Sequence, residues 1–69
     1  MELLIQTDPR DLAFLVKVLE GCDGLAMIKT IDGHHGLAQL IYPTHSEKEL
    51  RKLLQEINKK RKIEVLEKD

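Results

Sequence analysis

Few residues in this 69-residue chain have the chemistry for a reactive site, and they are scattered. His34 and His35 are adjacent, and His45 stands alone further along. Neighbours on an extended backbone point to opposite sides, so the two adjacent imidazoles do not make a chelating pair. Catalytic zinc needs three protein ligands in fixed geometry, and no spacing brings His45 or Cys22 to the pair. No metal site and no cofactor are expected. Cys22 is the sole cysteine, which rules out an internal disulfide framework. At a helix carboxyl end the dipole disfavours a thiolate, so Cys22 reads as a structural thiol. Ser46 is the sole serine and is accounted for as a helix cap. No glycine-rich strand-to-helix turn resembles a phosphate loop. Arg10, after Pro9, lies near the free amides of an expected helix start, and Asp8 and Asp11 flank it. No set of groups assembles a catalytic centre, and enzyme activity is not expected.

The elements that would position these residues are legible from periodicity. Met1 to Thr7 is short, aliphatic and bounded by a turn signal, which predicts a strand. The period then changes abruptly. Asp8 can cap the orphan amides of a helix, Pro9 suits its first position, and Asp11 puts an acid in its first turn. Leu12, Leu15, Val16 and Leu19 follow helical spacing, with Phe14 and Val18 widening the stripe, so a helix is predicted over 9–21. Gly21 and Gly24 bracket its end. Leu25 to Ile31 and Leu37 to Tyr42 read as two further strands. The Asp32-Gly33-His34-His35-Gly36 loop between them makes the pair antiparallel, its glycines permitting positive φ. Pro43 ends the third strand. Ser46-Glu47-Lys48-Glu49 forms a capping box, and Leu50, Leu53, Leu54 and Ile57 predict a second helix over 47–58. Glu47–Arg51, Lys52–Glu56 and Glu56–Lys60 are spaced for ion pairs on its polar face. Ile63 and Val65, alternating with Lys62 and Glu64, predict a last strand.

The order βαββαβ, as one domain over residues 1–69, predicts an α+β ferredoxin-like sandwich. Its four-stranded antiparallel sheet would carry both helices on one face. The covered face would take Leu3, Ile5, Ala26, Ile28, Ala38, Leu40, Tyr42, Ile63 and Val65. Leu4, Met27, Ile31, Leu37, Ile41 and Leu66 would lie on the other, among Glu2, Gln6, Lys29, Gln39 and Glu64. Such a patch is larger than monomers usually expose, and a domain this small buries a thin core. A homodimer or higher oligomer is therefore expected, through those six residues or through an edge. The charged fourth strand leaves the second as the likelier edge.

Charge points away from the usual polyanionic partners. Lysine plus arginine number 11 and aspartate plus glutamate 12, for a net charge of −1. The one dense basic run, Lys59-Lys60-Arg61-Lys62, reads as a solvated turn. With Phe14 on a helix and Tyr42 towards the core, no aromatic platform exists for stacking bases, and no nucleic-acid partner is expected. No apolar run has the length of a membrane span, and Glu2 stands where a secretory signal is basic, so a cytoplasmic, membrane-free chain is expected.

Asp8-Pro9-Arg10-Asp11-Leu12, the apolar helix, and Leu19-Glu20-Gly21-Cys22-Asp23-Gly24-Leu25 resemble an ACT-type regulatory domain. The Leu-Glu-Gly-x-x-Gly-Leu pattern, with Thr30-x-Asp32 and Gly36-Leu37, is also similar to an uncharacterised bacterial family of stand-alone ACT-like proteins. The resemblance runs along nearly the whole chain. It implies a non-enzymatic regulatory module, homo-oligomeric, binding an amino acid or small carboxylate around the turn from first strand to first helix. Asp8, Pro9 and Arg10 would line that site. Arg10 stands where ACT domains typically have a glycine after the proline. The alternative function is a structural protein–protein interaction module with no small ligand.

Overall fold

The computed structural model describes residues 1–22 and 24–68; Asp23 of the glycine-bracketed motif lies outside them. Strand β1 (Glu2–Thr7) leads through Asp8 into helix α1 (Pro9–Gly21). Strands β2 (Met27–Asp32) and β3 (Leu37–Ile41) form a hairpin around a 3-10 turn at Gly33–His35. A second 3-10 turn, Thr44–Ser46, precedes helix α2 (Glu47–Asn58), and strand β4 (Ile63–Lys68) completes the chain. The sheet is antiparallel throughout, in the order β2-β3-β1-β4. Alternation in β1 sends Leu3, Ile5 and Thr7 inward. The register stacks Leu40 beside Leu3 and Ala38 beside Ile5. Leu12, Leu15 and Leu19 from α1, with Leu50 and Leu54 from α2, close over that side as a single core. Both helices thus lie on one face of the sheet.

Helix α1 begins as its sequence dictates. Asp8 is extended and its carboxylate accepts from the Arg10 amide at 2.9 Å, with Pro9 next in line. At the other end the amide of Cys22 donates to Leu19, and Gly24 turns the chain with φ of 75°. Cys22 is half-buried against the core.

Several local expectations are corrected. Ser46 does not form a capping box: it is the last residue of the 3-10 turn, has helical backbone angles, makes no side-chain cap bond, and is buried. Of the two loop glycines only Gly36 has positive φ; Asp32 caps the 3-10 turn instead, accepting from the amides of His34 and His35. The second strand starts at Met27 rather than Leu25, whose side chain is buried ahead of it. Glu56 pairs with Lys59 rather than Lys60, the chain already turning as the amides of Lys60 and Arg61 close onto Ile57. Val65 shares the inner side of β4, opposite Ile5, yet is 52% exposed. It is on an edge strand, and α2 leaves a groove of about 260 Å³ above it, between Leu54, Tyr42 and Ile63. Phe14 is 39% exposed, at the rim of α1 rather than in the buried stripe.

Both edge strands carry a bulge. Between Val65, opposite Ile5, and Glu67, opposite Leu4, residue Leu66 is left over. Between Thr30, opposite Ala38, and Asp32, opposite Leu37, Ile31 is left over. Each bulge gives an aliphatic side chain no cross-strand partner and interrupts the regular edge.

Candidate functional site

The turn from β1 to α1 is built by two constraints. Asp8 must cap the helix, and Gly36 must pass close behind it. The Thr7 amide donates to the Gly36 carbonyl at 2.9 Å, and a Cβ on Gly36 would collide with the Thr7 carbonyl and crowd the nitrogen of Pro9. The hairpin loop is held there further by Gln6, whose side-chain amide donates to the His35 carbonyl at 3.1 Å. His35 Nδ1 lies 2.7 Å from Asp32 Oδ2. Thr7 Oγ1 donates to the Lys62 carbonyl at 2.8 Å, bringing the loop between α2 and β4 to the same end.

Asp8, Pro9 and Arg10 do converge here, in a particular way. The Arg10 guanidinium grips Asp8 through Nε to Oδ1 and Nη2 to Oδ2, each at 3.2 Å, while the Arg10 amide donates to the same Oδ1. The helix amide and the guanidinium therefore point at one carboxylate, and that carboxylate is the chain's own. The Arg10 side chain is 90% exposed and that of Asp8 43%. Hydrogen bonds from the Arg10 side chain and then its amide hold the Asp8 carboxyl below its usual range. The same pair holds the Arg10 guanidinium above its usual value. The hydrogen bond from His35 likewise holds Asp32 below the carboxylate range.

The histidines are not gathered with other ligands. Among the described residues no three of His, Cys, Asp and Glu stand together to hold a metal ion. His34 and His35 are exposed at the loop, and His45 sits in the turn before α2.

Arg61, read as part of a solvated basic turn, has a structural task. It donates from Nη1 to Asp11 Oδ1 at 2.6 Å, and its Cζ lies 4.1 Å from the centroid of the Phe14 ring. It pins the α2–β4 loop to the first turns of α1. Nothing in the sequence signals this, because a separation of 50 residues hides the pair.

The open face of the sheet is the second candidate surface. The register places Glu2, Leu4 and Gln6 beside Leu37, Gln39 and Ile41, with Met27, Lys29 and Asp32 on one flank and Glu64 and Glu67 on the other. Met27 is 68% exposed and Ile31 51%. Ile41 and Leu66 are exposed as well, whereas Leu4 and Leu37 are half-buried by their neighbours. Ile31 lines a shallow depression with Glu2, Leu4, Gln39 and Glu67. Register thus puts Leu4, Met27, Leu37 and Ile41 on this face, Ile31 reaches it from the β2 bulge, and Leu66 sits at the β4 bulge.

The element order, the strand order and the one-sided helices define a ferredoxin-like α+β domain. Within that class the chain belongs to a family described as a domain of unknown function, DUF4911, whose model matches residues 5–60. Neither the curated proteins nor the solved structures give a match. No helix among the described residues is long and apolar enough to cross a membrane.

Proposed function

We propose that this chain is a non-enzymatic ACT-like interaction module that works as a homo-oligomer. The observation that carries the reading is the uncovered sheet. Met27, Ile31 and Ile41 are exposed on the face opposite the helices, which also carries the half-buried Leu4 and Leu37. A monomer gains nothing from leaving such a surface wet, while a partner chain gains from covering it. The edge strand β2 supports self-association, since Met27 to Thr30 form a regular stretch before the bulge. Pairing of β2 with its symmetry mate would extend the sheet and leave the open face free.

Sedimentation equilibrium at micromolar concentration tests this. A species of twice 7.9 kDa is expected, and a clean monomer at 7.9 kDa would overturn self-association. Ile41→Lys should leave the mass of an edge-paired dimer unchanged.

One observation favours a second reading, regulation by an amino acid or small carboxylate. The Arg10 guanidinium and the helix amide already hold a carboxylate in bidentate geometry, that of Asp8. A ligand carboxylate would bind by exchange with it. A thermal-shift screen with amino acids and small carboxylates reads this out, because a ligand of the native state raises the melting temperature. Asp8→Asn should strengthen any such ligand by removing its competitor, and Arg10→Gly should abolish it. A flat screen with both variants leaves the interaction reading alone.

A further inference from the structure

The open face carries more acid than base, and this bears on what covers it. Register places Glu2, Glu64 and Glu67 on that face along β1 and β4, with Asp32 at the far end of β2. Lys29 is the single side-chain cation on the same face among the described residues. Gln39 donates to Glu2 at 3.1 Å, which orients that carboxylate and leaves its charge. Glu64 and Glu67 have no ion-pair partner among the described residues. On the central strands Leu4, Leu37 and Ile41 alternate with Glu2, Gln6 and Gln39, and the margin on the β4 side is acidic.

Two copies laid face to face would close two net-acidic surfaces on each other, each with Lys29 alone to offset Glu2, Glu64 and Glu67. Like charges closed into a contact of low dielectric repel strongly, so a second copy fits this face poorly. A segment with an apolar stripe and flanking lysines or arginines fits it well. The apolar stripe would lie across Leu4, Ile31 and Ile41, and the cations would meet Glu2, Glu64 and Glu67. An amphipathic helix laid on an apolar surface has that form. Resting on the interaction-module reading above, we propose that the open sheet face docks a cationic amphipathic helix of a partner protein.

The probe is a labelled peptide of roughly 14 residues with leucines at helical spacing and lysines elsewhere. Fluorescence anisotropy against the full chain follows its binding. Three comparison peptides keep the length: one scrambles the order, one replaces lysine by glutamine, and one replaces lysine by glutamate. The amphipathic lysine peptide is expected to bind at least about tenfold more tightly than the scrambled and glutamate peptides, and to weaken as salt rises. Glu64→Gln with Glu67→Gln should weaken it about tenfold, as each exposed carboxylate is replaced by a neutral amide of the same shape. Ile41→Gln should weaken it too, through the apolar floor, with circular dichroism confirming that the variants fold. Amide shift changes should fall on the open face rather than on α2.

The proposal is overturned if the scrambled peptide binds equally, if the carboxylate variants bind as the parent does, or if the shifts map elsewhere. Equal binding of the glutamine peptide would overturn the cationic partner while leaving the face as an interaction surface. Binding by none of the peptides would remove both. A dimer that Ile41→Lys dissolves would instead assign the face to a second copy.

Discussion

At the scale of single residues the most constrained position is Gly36. Its φ of 66° is one that side-chain-bearing residues avoid, and its α-carbon rests against the Thr7 carbonyl. Gly36→Ala therefore meets two penalties together, and should lower unfolding free energy by about 2–4 kcal/mol in urea titration. Loss of under half that amount would mean the loop swings clear of β1 at little cost. Asp8 and Asp32 both cap turns with carboxyls held below the ordinary range, by Arg10 and by His35 respectively. A carboxyl that binds its proton less tightly when folded supports the fold above its unfolded pKa. That support is lost as pH falls through the lower folded value. The urea midpoint should accordingly be flat down to about pH 4 and drop below it. Asp8→Asn with Asp32→Asn should start lower and drop less. Equal acid sensitivity in the double variant would assign the effect to other carboxyls.

At the scale of elements, one end of the molecule is clasped by long-range polar contacts. Thr7 reaches Lys62, Gln6 reaches His35, and Arg61 reaches Asp11 and Phe14. These join the three loops that meet at the amino end of α1. The Arg61 guanidinium is the strongest of them, since it combines a charge-assisted bond with a ring face. It is partly exposed, which moderates its worth. Arg61→Ala should cost about 1–2 kcal/mol by chemical denaturation. Arg61→Lys should recover only part, because an ammonium cannot stack flat while bonding Asp11. Full recovery would show that charge alone suffices. At the core, Leu50 is essentially inaccessible beneath α2, and Leu50→Ala should cost about 2–5 kcal/mol.

At the scale of the whole molecule, a small core and an unpaired β2 edge pull the same way. A domain of this length buries only about 60% of its unfolded surface, so stability is modest in the monomer. An assembled state then adds stability by mass action. The melting temperature should rise with protein concentration over the range in which sedimentation shows dimer forming. A melting temperature independent of concentration would mean that the folded chain does not associate, and a mass of 7.9 kDa would agree with it.

The sequence by itself determined the helices, the strands and the sides taken by the residues of β1 and β3. Asp8 and Pro9 start α1 where the cap and ring require, the leucine stripes bury as their spacing demands, and alternation in β1 and β3 sets the core. These are local properties, set by capping, periodicity and pleat within a few residues. Only the tertiary structure decided what those residues meet. Asp8 and Arg10 close on each other in an exposed ion pair, which the resemblance does not indicate. Ser46 caps nothing because a 3-10 turn, invisible to periodicity, holds it helical. Val65 is exposed because β4 is an edge that α2 does not cover, and the bulges at Ile31 and Leu66 depend on register between strands. The pairing of Arg61 with Asp11 arises between distant stretches of chain that only the packing of α1 against β4's approach brings together. Non-local contacts of this kind depend on where whole elements come to rest, and no short window of sequence carries that information.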